Sequence, residues 1–205
     1  MSNSTPTPAA TPLSPLSPLS LDERPALVLI DLQNGILGLP TVHPSGDVLK
    51  NAVRLADAFR AKGLPVVRVR VAWSADGGDL PVSRSTAPGL TQAPPAEFAE
   101  FPDDLGPVGD DIVITKRHWG AFTGTELDLQ LRRRGVTQIV LGGISTSIGV
   151  ESTARSAFEL SYHLVLVSDA TTDTDAASHE HAFGKIFPRI AELGTTDEVL
   201  ELLGD

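Results

Sequence analysis

The chain has no cysteine at all, which excludes disulfides, thiolate metal sites and a cysteine nucleophile together and leaves the redox compartment undetermined. It also lacks any apolar run near the roughly 20 residues that cross a bilayer. No membrane partner is therefore expected. Basic residues are outnumbered: 16 Lys and Arg face 26 Asp and Glu, for a net charge of −10. A basic face and the release of counterions drive capture by phosphate backbones, so nucleic acid is not an expected partner either. The amino terminus has no basic segment leading into an apolar one, and cytoplasmic residence is the resulting expectation. Two phosphate-binding fingerprints are missing. GGISTSIG is neither Gly-x-Gly-x-x-Gly nor a turn followed by Gly-Lys-Ser/Thr.

The 205 residues suffice for one well-buried domain and are short for two. Residues 2–20 are, apart from Asn3, built from Ser, Thr, Pro, Ala and Leu with a repeated Leu-Ser-Pro, a composition that favours an extended or disordered arm. We assign 1–23 to this arm and 24–205 to the domain. From Arg24 onward, short β-branched runs alternate with amphipathic stretches, as in a parallel sheet with crossover helices. The strands are expected in ALVLID (26–31), LPVVRVRVA (64–72), DIVIT (111–115), TQIVLGG (137–143) and YHLVLVSDA (162–170), with a short sixth near 192–196.

Between the first two runs, Val48, Leu49, Ala52, Leu55, Ala56 and Phe59 share one helical face that stops at Gly63. A second helix is expected to open on Thr125 as N-cap and to end at Gly135. Its Arg132, Arg133 and Arg134 fall in the last turn, where cations suit the helix dipole and a solvated face is the simplest reading. Further helices are expected over 148–160, 176–191 and 196–203. Residues 73–110, rich in Gly, Pro and Asp, form a long irregular insertion of the kind that often covers active sites.

Ligands of an open parallel sheet bind outside the carboxyl ends of its strands. Asp31 ends the first run, Lys116 follows the third, and GGISTSIG follows the fourth. Each has a bland reading: an Asp before Gln-Asn-Gly can cap a turn, a lysine can end a strand in solvent, and the small-residue turn can do no more than start a helix. Together they can bring a carboxylate, an ammonium and a helix start to one pocket. His179 and His181 are two residues apart on an expected helix, so their rings point to different faces. We read them as surface residues and expect no metal and no cofactor.

Read jointly, ALVLIDLQNG, ITKRHWGAFTGTELDLQLRRRGV, QIVLGGISTSIGVESTARSAFELSYHLVLVSDA and IFPRIAELGTTDEVL resemble the isochorismatase-like hydrolase superfamily over residues 24–205. The resemblance implies a three-layer αβα fold with a six-stranded, mainly parallel sheet, and a homodimer or homotetramer. Cysteine hydrolases of this superfamily use an Asp, a Lys and a Cys, which correspond to Asp31, Lys116 and the position of Gly149. Here the nucleophile is missing, and with it the thioester route to amide hydrolysis. Ser145, Thr146, Ser147 and Ser152 are nearby hydroxyls, none at the cysteine position.

Isochorismatases also carry glycine at that position, and they cleave a vinyl ether without a covalent intermediate. The resemblance thus implies Asp31 as general acid, which requires a raised pKa that Lys116 opposes. Trp119 and Phe122 are candidates for an aromatic pocket wall, with core packing as the alternative. Ser145, Thr146 and Ile148 belong to the turn whose N–H groups are candidates for binding a substrate anion, and the resemblance implies a cis bond between Ile144 and Ser145. Two departures leave the substrate open: isochorismatases have an aromatic residue where this turn has Ser145, and their second-strand loop differs from VAWSADGGD. The Asp and two His that nicotinamidases use for a metal have no counterpart here. A small-molecule hydrolase is the expected function. A ligand-binding member without activity is the alternative, and a scaffold acting through the arm is a third reading that LSPLSP, without a basic-flanked Pro-x-x-Pro, supports poorly.

Overall fold

The computed structural model describes residues 19–204 except 83 and 88. Six strands form one sheet: β1 (Pro25–Ile30), β2 (Val66–Val71), β3 (Ile112–Lys116), β4 (Gln138–Ile144), β5 (His163–Thr172) and β6 (Glu192–Gly194). Their order is β3-β2-β1-β4-β5-β6, and every pairing is parallel. Strand order reverses between β1 and β4, which makes the carboxyl ends of these two strands the topological switch point of the sheet.

β1 reads as a continuous apolar run because both of its faces are covered. Leu27 and Leu29 pack with Leu55 and Phe59 of α2 (Ser45–Ala61) and Val199 of α6 (Thr196–Leu203). Val28 and Ile30 point the other way, toward Leu127 and Leu131 of α3 (Leu127–Arg133) and Ala154 and Ala157 of α4 (Glu151–Glu159). All four β1 residues are at most 1 % exposed. The result is three layers. A short helix, Asn34–Leu37, follows β1, and another, Ala176–His181, follows β5; we number them α1 and α5.

The observed helices differ from the expected ones in three places. α3 begins at Leu127 and Thr125 lies outside it, yet the Thr125 hydroxyl still accepts from the Leu127 N–H. The expected helix over 148–160 is α4 preceded by a π-helical turn, Thr146–Val150. The single helix expected over 176–191 is instead α5, a π-helical turn at Ala182–Ile186 and a 3₁₀ turn at Phe187–Arg189. Pro188 supplies the reason, since it has no N–H and its ring collides with the carbonyl four residues earlier.

β4 approaches β1 closely at its end. Gly143 has φ +131°, and a Cβ there would lie 2.1 Å from the Ile30 carbonyl oxygen. Only glycine fits. The pairing of β4 with β5 shifts register just there, between Leu141 and Gly143, and resumes at Gly143 and Thr171, so β5 carries a bulge beside the end of β4.

Of the arm assigned to 1–23, residues 1–18 lie outside the described residues. The remainder is docked. The Ser20 N–H donates to Glu192 (3.0 Å), the Gln138 amide spans the Ser20 carbonyl and the Asp22 N–H, and Leu19 lies against Gly194. The 73–110 insertion is irregular apart from short 3₁₀ turns at Ala96–Ala99 and Asp103–Leu105.

Candidate active site

Asp31 is the first residue after β1 and has φ +54°, an uncommon conformation for a side chain other than glycine. Its N–H still donates to the Val69 carbonyl (2.9 Å), so the backbone stays fixed to the neighbouring strand while the side chain turns to the edge. The ammonium of Lys116, the last residue of β3, lies 2.7 Å from Asp31 Oδ2 and also donates to the His118 carbonyl at 3.2 Å. Both side chains are nearly sealed, at 8 % and 3 % exposure. Asp31 Oδ1 is buried and has no hydrogen-bond partner among the described residues. Burial, the largest effect, raises the Asp31 pKa; the charge and hydrogen bond of Lys116 pull it down, and the outcome is a pKa of about 6.

Gly149 sits in the π-helical turn directly against this carboxyl. A Cβ on it would lie 2.9 Å from Ile30 Cγ2, 3.2 Å from Asp31 Oδ2 and 3.6 Å from the Trp119 carbonyl oxygen. Asp31, Lys116 and Gly149, far apart in the chain, therefore meet at the carboxyl edge. The Ile144–Ser145 peptide is cis, in line with the resemblance.

The N–H groups of the turn are partly committed. Ser147 N–H donates to Asp173 Oδ2 (2.6 Å) and Ile148 N–H to the Ser145 carbonyl (3.2 Å), so the turn is not the open anion cradle that its sequence suggested. Asp173, 1 % exposed, also accepts from the Thr174 and Asp175 N–H groups, and it ties the turn to the start of α5.

The expected aromatic wall is not formed. Trp119 is 66 % exposed, while the half-buried Phe122 ring packs on Tyr162, centroids 6.0 Å apart, against the core that contains residues of α3 and α4. Ser145 is half-buried and Ile148 is exposed at 38 %. Thr146 is fully buried, and its hydroxyl is 2.8 Å from His179 Nδ1. His179 is thus not the surface residue its spacing suggested; it is half-buried, with the His43 and Phe183 rings 5.1 and 4.9 Å away. Thirty-three residues separate Thr146 from His179. The only signal in the sequence is that the stretches after β1, β4 and β5 must all start at one edge.

Gln33 was also missed. Its buried amide holds both the N–H and the carbonyl of Val71 and reaches the Phe98 carbonyl, fastening the insertion beside the site. Among the described residues no three His, Cys, Asp or Glu side chains are grouped to hold a metal. A cavity of about 580 Å³, lined in part by Arg24, Arg60 and Arg134, opens at the amino ends of β2 and β3. It is at the far end of the strands from Asp31, and the switch point outweighs volume in locating the chemistry.

Fold and site define a doubly wound parallel α/β protein with a buried Asp–Lys pair at the carboxyl edge of its sheet. An isochorismatase domain matches residues 25–198. The isochorismatase family protein YecD of Escherichia coli O157:H7 is 48 % identical over 181 residues, covering 87 % of this chain and 95 % of YecD. The ureidoacrylate amidohydrolase RutB of Pseudomonas syringae is 32 % identical over 77 % of this chain and 75 % of its own. An isochorismatase family protein from Burkholderia thailandensis superposes with a TM-score of 0.88 at 44 % identity, covering 91 % and 98 % of the two chains. The chain belongs to the isochorismatase family, a family of hydrolases. No helix among the described residues is long and apolar enough to cross a membrane.

Proposed function

We propose that this protein hydrolyses the enol ether bond of a small organic acid, with Asp31 as general acid and without a covalent enzyme intermediate. The observation that carries the reading is the state of the Asp31 carboxyl: buried, with a pKa raised to about 6, and with Oδ1 partnerless among the described residues. A carboxyl of that kind is held near the point where it gives up a proton at working pH. Gly149 and the absence of cysteine remove the thioester route that would otherwise compete.

In this mechanism Asp31 protonates the methylene carbon of an enolpyruvyl ether. Water adds to the resulting oxocarbenium ion, its proton returns to the Asp31 carboxylate, and the hemiketal collapses to pyruvate and an alcohol. A substrate carboxylate or ether oxygen that engages Lys116 draws the ammonium away from Asp31 and leaves the carboxyl protonated.

The test is pyruvate release from isochorismate by the native chain, Asp31→Asn and Lys116→Ala. Release that Asp31→Asn abolishes with the fold intact supports the reading; no release, or release indifferent to Asp31, removes it. The second reading is a ligand-binding member without turnover. The direct 2.7 Å contact between Lys116 and Asp31 favours it, since such a contact also holds the carboxylate ionised.

A further inference from the structure

We infer that His179 is held as a neutral imidazole with its hydrogen on Nε2, and that this outward N–H binds an oxygen atom of the acid that occupies the Asp31 edge; the identity of that acid rests on the function proposed above.

The assignment follows from counting donors and acceptors. The Thr146 side chain is fully buried, and its hydroxyl has one hydrogen-bond partner among the described residues, His179 Nδ1 at 2.8 Å. A buried hydroxyl hydrogen without an acceptor costs about 1–3 kcal/mol. Thr146 therefore donates, and Nδ1 accepts. In a neutral imidazole the hydrogen must then be on Nε2. Protonation would place a second hydrogen on Nδ1, pointing at Thr146, and would leave the hydroxyl hydrogen without an acceptor.

The surroundings act in the same direction. Burial and the neighbouring His43 disfavour a positive charge on His179 and outweigh Asp173 and Glu180, which favour it, so its pKa lies below the ordinary 6.5. The His43 ring meets the imidazole edge-on, and Phe183 packs on it at 4.9 Å, so the ring cannot turn freely.

Nε2 has no hydrogen-bond partner among the described residues, and it is not sealed from solvent. Thr146 opens the turn that carries Gly149 three residues on, and a Cβ on Gly149 would lie 3.2 Å from Asp31 Oδ2, so His179 joins the Asp31 edge through Thr146. A fixed N–H donor at this edge complements the carboxylate or carbonyl oxygens of a small acid. A neutral donor also serves such an acid without adding to the positive charge of Lys116 at this edge, which would lower the Asp31 pKa further and weaken it as an acid.

The test uses native protein labelled with ¹³C and ¹⁵N. At neutral pH, Nδ1 is expected to give an acceptor-type resonance and Nε2 a protonated one, and in Thr146→Val the tautomers mix and the His179 titration moves up. A protonated Nδ1 in the native protein, or a Thr146→Val spectrum unchanged at His179, overturns the assignment whatever the protein binds. Pyruvate, the acid released in the proposed reaction, is then added while His179 Nε2 and the Asp31 carboxyl carbon are followed. Shifts at both support the inference. A shift at Asp31 alone overturns it and leaves the proposed function standing; a shift at neither counts against both. With a turned-over substrate, His179→Ala raises KM about tenfold or more at little changed kcat, as expected for a lost bond to a charged oxygen. His179→Gln, which keeps an N–H near Nε2, recovers most of that loss; a Gln variant as weak as the Ala variant would assign His179 a packing role only.

Discussion

Burial and Lys116 pull the Asp31 carboxyl in opposite directions, and burial prevails. An acid catalyst must be protonated, so the fraction of active enzyme falls as pH rises through the Asp31 pKa. Hydrolysis is therefore expected to show a descending limb with its midpoint at about pH 6, measured as kcat/KM against pH. A profile flat from pH 5 to 8 would deny Asp31 the role of acid. Gly149 invites a second measurement. Its missing Cβ would press on Ile30 Cγ2 at 2.9 Å, and Ile30 is a fully buried core residue with little room to give. Gly149→Ala is expected to destabilise the fold by about 1–3 kcal/mol, the usual cost of overpacking, in chemical denaturation. Asp31 and Lys116 were legible just past readable apolar runs, and Gly149 through the family resemblance of the turn that follows the fourth run. The partnerless Oδ1 was not, because an unpaired oxygen is a property of everything that fails to approach it.

At the scale of elements, the strands were readable to within two residues at every boundary, because β1 through β5 are rich in apolar and β-branched residues and the central β1 and β4 are buried along their whole length. Helix interiors were readable for a related reason: the buried stripe Val48, Ala52, Leu55, Ala56 and Phe59 of α2 has the spacing of a helix face. Local chemistry overrode periodicity where the helices break, at Pro188 and at the π-helical turn around Gly149. One cap allows a clean test. Thr195 and Glu198 close a reciprocal capping box at the start of α6, and Thr195→Ala should lower stability by about 1 kcal/mol with the sheet unchanged. The insertion depends on a different kind of tie. Arg68, 1 % exposed in the middle of β2, pairs with Asp111 at 2.6 Å and donates to the carbonyls of Leu105, Gly106 and Pro107. Its removal strips a nearly buried carboxylate of one partner, the Gly106 and Pro107 carbonyls of their donor and the Leu105 carbonyl of one of its two, the other being Arg60, so Arg68→Ala is expected to cost about 3–5 kcal/mol and to loosen 103–111, as read by amide exchange. Ordinary surface-mutation values would show that Arg60, also paired with Asp111 at 2.8 Å, suffices alone.

At the scale of the whole molecule, Trp119, Ile148, Leu39 and Val42 are exposed apolar groups on segments that start from the carboxyl edge. The resemblance implies a homodimer or homotetramer, and light scattering in solution is expected to return two or four times the chain mass of 21.6 kDa. A mass of one chain would discard that expectation.

The sequence by itself determined the doubly wound class, the cysteine-free chemistry and the residues at the three strand ends, because these depend on composition and on local periodicity. Tertiary structure decided the rest: which oxygen of Asp31 is left without a partner, that Phe122 packs inward while Trp119 faces solvent, and that His179 meets Thr146. Each of these is a relation between segments that only the parallel crossovers bring together. Their energies come from burial and from hydrogen-bond satisfaction, which no single segment possesses before the sheet is formed.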